Sequence, residues 1–153
     1  MNLAFDQSTS RFTLVRFQAG GRAFAVAVDQ VRGLAARTNP DQGQAVTIAV
    51  ETILGLAHPD TQPPSERRTL WLLRSGQPVA VEVSEPVRLI EVAVGHLFAV
   101  PPLIAARTTL KGACALFFEA DSTEPVVLVD FLAATGLVAV SLTHSGSTGN
   151  GTD

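Results

Sequence analysis

Residues 12–34 read FTLVRFQAGGRAFAVAVDQVRGL, two runs of alternating apolar residues around a Gly-Gly pair. Thr13, Val15 and Phe17 share one face of the first run, with Leu14, Arg16 and Gln18 on the other. A period of two predicts a strand. Gly20-Gly21 supplies the positive φ that a tight hairpin turn needs. The second run, Ala23 to Val28, sets Phe24, Val26 and Val28 against Ala23, Ala25 and Ala27. Small residues on that second face imply that another layer packs closely there. Asp29 to Leu34 then turns away from the hairpin. The pattern returns in weaker form at 69–90, TLWLLRSGQPVAVEVSEPVRLI. Leu14 matches Leu70, Gly20 matches Gly76, Val26 matches Val81 and Val31-Arg32 matches Val87-Arg88, at an offset of 55 to 56 residues. Such a repeat predicts two similar β units, neither able to bury its apolar face alone.

The rest of the chain completes those units. Val46, Ile48 and Val50 alternate as a third strand, and Glu51 to Leu56 reads as a short helix stopped at Gly55. HPDTQPPSERR at 58–68 is a linker, its Pro63-Pro64 favouring extended geometry. Pro86 confines the stretch after it to an edge or a new strand start. FAVPPLIAA at 98–106 is an apolar connection, Leu110 to Glu119 a strand, and Asp121-Ser122-Thr123 a turn. Val126 to Val129 is continuously apolar and reads as a strand buried on both faces. Asp130 to Gly136 is a short helix. VTIAVETILGL at 46–56 matches VVLVDFLAATGL at 126–137, with Glu51 and Asp130 each at a helix start, where an acid suits the partial positive charge. The expected organisation is a flexible N-terminus at 1–10 and a single domain at 11–140. Within it lie a first lobe at about 11–57, the linker at 58–68 and a second lobe at about 69–138. A Gly/Ser/Thr-rich flexible tail spans 141–153.

Bulk composition excludes several classes. At 153 residues the chain can bury roughly two-thirds of its unfolded surface without disulfide or metal. The net charge is −3, and ten of the eleven basic residues are Arg scattered without a cluster, so a nucleic-acid partner is not expected. One cysteine permits no internal disulfide. MNLAFDQSTSR lacks the basic start and apolar run of a signal peptide, and no run of about 18 apolar residues offers a membrane span. A cytoplasmic protein without direct membrane insertion is the expectation.

Residues capable of chemistry form no constellation. Asp29, Glu51, Glu82 and Asp130 are read as strand-end, helix-start and outward positions rather than an acid–base pair. His58, His96 and His144 have no ligand spacing with each other or with Cys114, so no metal is expected. Cys114 reads as a small core residue. Gly20-Gly21 lacks the Lys-Ser/Thr of a phosphate loop. Trp71, aligned with Val15, reads as core. No catalytic residue and no cofactor is expected.

Taken together, LVRFQAGGRAFAVAVDQV, IAVETILGL, WLLRSGQPVAVEV with VRLIEV, Pro101-Pro102, Leu110-Lys111-Gly112-Ala113 and VVLVDFLAATG resemble the CheW-like domain of bacterial chemotaxis coupling proteins, over about 11–138. The resemblance implies a mainly β fold of two small packed β-barrel subdomains with short helices. It further implies a non-enzymatic adaptor or scaffold joining the cytoplasmic region of a chemoreceptor to the regulatory domain of a chemotaxis histidine kinase, or to other CheW-like proteins. Val31, Arg32 and Leu34 match the receptor-contacting stretch of the family, with Ile48, Val50 and Arg88 as further partner-binding candidates. Two departures stand out. The Asn-Leu-Arg-Gly stretch that precedes the IAVETILGL match is absent, so about a hairpin of the first barrel is missing. The acid of the family's Val-x-Glu-Ile is replaced by Gly33. These departures imply an adaptor with one partner surface lost. The rival reading is a small-molecule-binding β-barrel, which requires a deep apolar cavity with convergent polar groups.

Overall fold

The structure, a computed structural model, describes residues 10–35, 47–56, 66–74 and 77–134. Strands dominate it, as the sequence predicts. The opening hairpin forms as read: β1 (Arg11–Ala19) and β2 (Arg22–Ala27) pair antiparallel, Ala19 opposite Arg22. Gly20 (φ 56°) and Gly21 (φ 74°) make the turn, the left-handed pair that a two-residue hairpin favours. Val28, expected as the strand's last residue, instead opens a 3₁₀ turn, Val28–Gln30. That turn leads into β3 (Val31–Ala35).

Next come β4 (Thr47–Ala49), α1 (Val50–Leu54), β5 (Arg67–Arg74) and β6 (Gln77–Ala93). They are followed by β7 (Phe98–Ala99), α2 (Pro102–Arg107), β8 (Ala113–Phe118), β9 (Pro125–Val129) and a helical turn at 131–134. Among the described residues one nine-stranded sheet runs β3-β5-β6-β1-β2-β9-β8-β7, with β4 added on β6. The second hairpin, β5–β6, closes with Arg74 opposite Gln77. Its Ser75-Gly76 turn, like Val46 and Gly136, lies outside the described residues.

Beside the hairpin pairings, two parallel ladders join segments distant in sequence. β4 lies parallel to β6, and β9 parallel to β2. The closing strand of each repeat therefore completes the hairpin of the other. Two cores result, one on each face of the opening hairpin. Val15, Phe17, Phe24 and Val26 enter the first, with α1's Val50, Ile53 and Leu54, Leu70, Leu72, Val81, Val83 and Phe131. Phe17 stacks between Phe24 and Phe131 at centroid distances of 6.0 and 5.8 Å. Leu14 and Ala25 enter the second, with Val92, Phe117 and Val126, while Ala23 and Ala27 pack at its margin. The alanine face is thus the seat of a second layer, as its small residues predict. β9 also behaves as predicted: Val129 belongs to the first core and Val126 to the second. Segments 11–57 and 69–138 each supply both cores.

Several local expectations give way to packing. Val50 is not a strand residue: it starts α1 and is fully buried. Pro86 does not end its strand, because β6 continues through it for 17 residues. The ladder with β1 bulges there: between Gln18↔Ser84 and Arg16↔Arg88, residues 85–87 face the single residue Phe17. A bulge is where a strand tolerates proline's missing N–H. The FAVPPLIAA connection contains β7 and α2, with Pro102 at the first helical position, which proline's fixed φ suits. β8 begins at Ala113 rather than Leu110, after a turn at Gly112 (φ 76°). No helix among the described residues is long and apolar enough to cross a membrane.

Candidate functional site

The seam between the repeats opens as a groove of about 280 Å³. β3 forms one wall with Val31, Arg32, Gly33 and Leu34, and Val87, Arg88 and Leu89 of β6 form the other. Val15 and Leu70 make the floor, and Val28 closes one side. The geometry follows from the strand order. β6 leaves β5 at the Pro86 bulge to pair with β1, while β3 stays on β5. The two walls therefore diverge over the first core. Floor residues are buried (Val15 5%, Leu70 0%), whereas Leu34 is 52% and Leu89 67% exposed on the rim. Exposed large aliphatics flanking an apolar floor are a feature that solvent alone does not favour.

Four of the six predicted partner-binding residues meet here: Val31, Arg32, Leu34 and Arg88. The other two do not. Ile48 is half-buried on β4 against the first core. Val50 is 0% exposed and offers no surface to a partner; the alternation that suggested a strand ends where α1 begins. Sequence reasoning missed Val28, Val87 and Leu89. For the last two the signal was present, since Val87 and Leu89 share a strand face with charged Glu91, which marks that face as partly solvated.

The electrostatics are one-sided. Among the described residues no acid lines the groove. Arg88 Nη2 donates to Glu119 Oε1 at 2.7 Å. Arg16 Nε lies 2.9 Å from the same oxygen, at an angle too poor for a hydrogen bond. Glu119 thus ties Arg88 to the sheet. Arg32 is exposed and makes no ion pair among the described residues. Trp71, expected in the core, is half-buried on β5 opposite Gly33. A Cβ on Gly33 would meet only the Trp71 side chain, at 3.9 Å.

Other reactive residues stand apart. Cys114 is exposed, not a core residue, with its Sγ 3.3 Å from the Leu128 carbonyl. Partial burial of the sulfur, and then the Asp130 carboxylate, push its thiol pKa up, which disfavours the reactive thiolate. Asp130 caps the 131–134 turn, its Oδ1 accepting from the N–H groups of Leu132 and Ala133. Gln30 bridges to it: Gln30 Nε2 donates to Asp130 Oδ1, and Phe131 N donates to Gln30 Oε1. Glu51 sits in the first turn of α1, as predicted, but is buried and paired with Arg67 at 2.7 Å. Among the described residues no three His, Cys, Asp or Glu side chains gather as a metal site. A second groove, about 340 Å³, lies between Arg11, the end of β6, His96 and Phe117–Ala120.

No protein-family model matches the chain, and no curated protein matches it. Among solved structures, the scaffolding protein TtCheW from Thermoanaerobacter tengcongensis matches with a TM-score of 0.62 and 12% identity, over 79% of this chain and 85% of that one. So low an identity across so much of both chains is a likeness of backbone path, and this chain has the CheW-like fold.

Proposed function

We propose that the protein is a non-enzymatic adaptor of a bacterial chemosensory complex, coupling chemoreceptors to a histidine kinase or to another array component, with one partner surface lost. The observation that carries this reading is the groove. Residues 31–34 and Arg88, separated in sequence, line one apolar cleft whose rim leaves Leu34 and Leu89 in water. A cleft with aliphatic anchors suits the apolar face of a docked helix, here the cytoplasmic tip of a chemoreceptor. The fold shared with a scaffolding protein supports the same role. Such contacts act multivalently in a cytoplasmic array, so each is individually weak.

The test is a pair of titrations, one against a chemoreceptor cytoplasmic tip and one against the kinase regulatory domain, each repeated with Leu34→Glu/Leu89→Glu. Receptor binding by the native protein, lost in the variant, is the expected result. Binding to the receptor but not the kinase identifies the kinase surface as the lost one, and the converse identifies the receptor surface. Binding to neither refutes the adaptor reading.

A further inference from the structure

The groove's charge is at odds with the molecule's. The chain carries 14 acidic and 11 basic residues, yet the ten described residues that line the groove include two arginines and no acid. Arg88 shares its charge with Glu119, whereas Arg32 is unpaired among the described residues. An apolar ridge seated in the groove brings its own flank against Arg32. Closing the rim removes water from that guanidinium, and a desolvated charge left without a counter-charge is costly. A carboxylate on the incoming ridge relieves that cost through a charge-assisted hydrogen bond.

We propose that Arg32 is a specificity-determining residue: the groove selects an amphipathic helix whose apolar ridge is flanked by an acidic side chain, and rejects one flanked by a basic side chain. This rests on the groove being the docking site. Gly33 beside Arg32 keeps the local charge positive, since any acid at this position would neutralise it. The backbone there does not demand glycine, because a Cβ has room and the φ is not left-handed.

The probes are three side-chain-stapled helical peptides with the same leucine ridge at i, i+4 and i+7, carrying Glu, Gln or Lys at one flanking position. Binding to the full chain is read by fluorescence anisotropy at low and high salt. The Glu probe is expected to bind about threefold to tenfold more tightly than the Gln probe, as one partly desolvated charge pair would give, and the Lys probe more weakly than either. Added salt should narrow the spread. Arg32→Gln and, independently, Gly33→Glu should abolish the preference among the three probes. Equal binding of all three probes, lost in Leu34→Glu/Leu89→Glu, would overturn the charge rule and leave the groove reading standing. A preference unchanged in Arg32→Gln would overturn the assignment to Arg32. Failure of every probe to bind would overturn the proposal, with the receptor titration judging the groove separately.

Discussion

Glu51 shows how one ion pair can hold two distant segments together. Its side chain is 3% exposed and that of Arg67 15%. A single contact joins them, Arg67 Nη2 to Glu51 Oε1, while Glu51 Oε2 and Arg67 Nε lack hydrogen-bond partners. Glu82 adds a longer contact to Arg67 at 3.9 Å. A buried pair so incompletely satisfied contributes little net stability, but removing one partner strands the other. Arg67→Ala should therefore cost about 3–5 kcal/mol, whereas Glu51→Met/Arg67→Met should cost far less. Urea titrations of both variants measure this, and a cost below about 1 kcal/mol for Arg67→Ala would show that Glu51 is adequately solvated without it. The helix-start position of Glu51 is legible in the sequence through its match with Asp130. Its partner is not, because Arg67 falls within the 58–68 stretch that reads as a linker, whereas in the structure it opens β5. The repeat itself was read one residue out of phase over part of its length. Val15 and Phe17 share the first core with Leu70 and Leu72, an offset of 55, while Leu14 lies in the second core. Matching Leu14 to Leu70 thus joins opposite faces, since a slip of one residue inverts every side chain. In correct phase Trp71 corresponds to Arg16 rather than Val15, and both are half-buried.

Elements in this fold are fixed as much by close approaches as by periodicity. Lys111 N donates to the Leu54 carbonyl at the end of α1, and Asp130 N donates to the Gly112 carbonyl. The turn at 108–112 thereby pins the two helical ends of the repeats. Gly112 permits it twice over, through its left-handed φ of 76° and through its missing side chain. A Cβ there would lie 2.7 Å from the Asp130 carbonyl oxygen and 3.0 Å from Ala134 Cβ. Gly21 has a similar φ of 74° but open space around it. Gly21→Ala should cost only the left-handed strain, about 1–2 kcal/mol. Gly112→Ala should cost distinctly more, because backbone must also move. Urea midpoints of the two variants test the difference, and equal shifts would mean that the pinning contact yields freely. Alternation in sequence located β1 and β2 because each has a buried face, and a continuous apolar run located β9, which is buried on both. It could not locate α2, whose Leu103 (71% exposed) and Ile104 (58%) bury no stripe. It also overran β4, since Val50 continues the alternation into a helix. The bend of β6 at Pro86, which opens the groove, reads in sequence as a strand end because proline marks an edge and a bulge alike.

On the scale of the whole molecule, strand exchange makes the two cores one cooperative unit. β1 presents Val15 and Phe17 to the first core and Leu14 to the second, and β9 does the same with Val129 and Val126. β6 pairs with β5 and β4 along its first half and with β1 along its second. Neither core can lose its strands without exposing the other. The duplication was legible in the sequence; the exchange was not, because β2–β9 and β4–β6 join residues about 100 and 33 positions apart with no local signal of which hairpin each closing strand would choose. The groove inherits this architecture. Its walls are matched segments of the two repeats, 31–34 and 87–89, so Val31, Arg32, Leu34 and Arg88 could be singled out from sequence, while no local signal placed the two segments side by side. Cooperativity is measurable through Trp71, the chain's one tryptophan, which lies on β5 beside the first core. Phe117→Ala empties a site in the second core and should cost about 3–5 kcal/mol; Val126→Ala is the milder form of the same test. For a single unit, the urea transition followed by Trp71 fluorescence must fall together with that followed by far-ultraviolet circular dichroism. A fluorescence midpoint that stays at its native value while the dichroism midpoint falls would mean that the cores unfold separately. The groove, whose floor of Val15 and Leu70 belongs to the first core, would then depend on that core alone, and losing the second core would leave its preference for a partner unchanged.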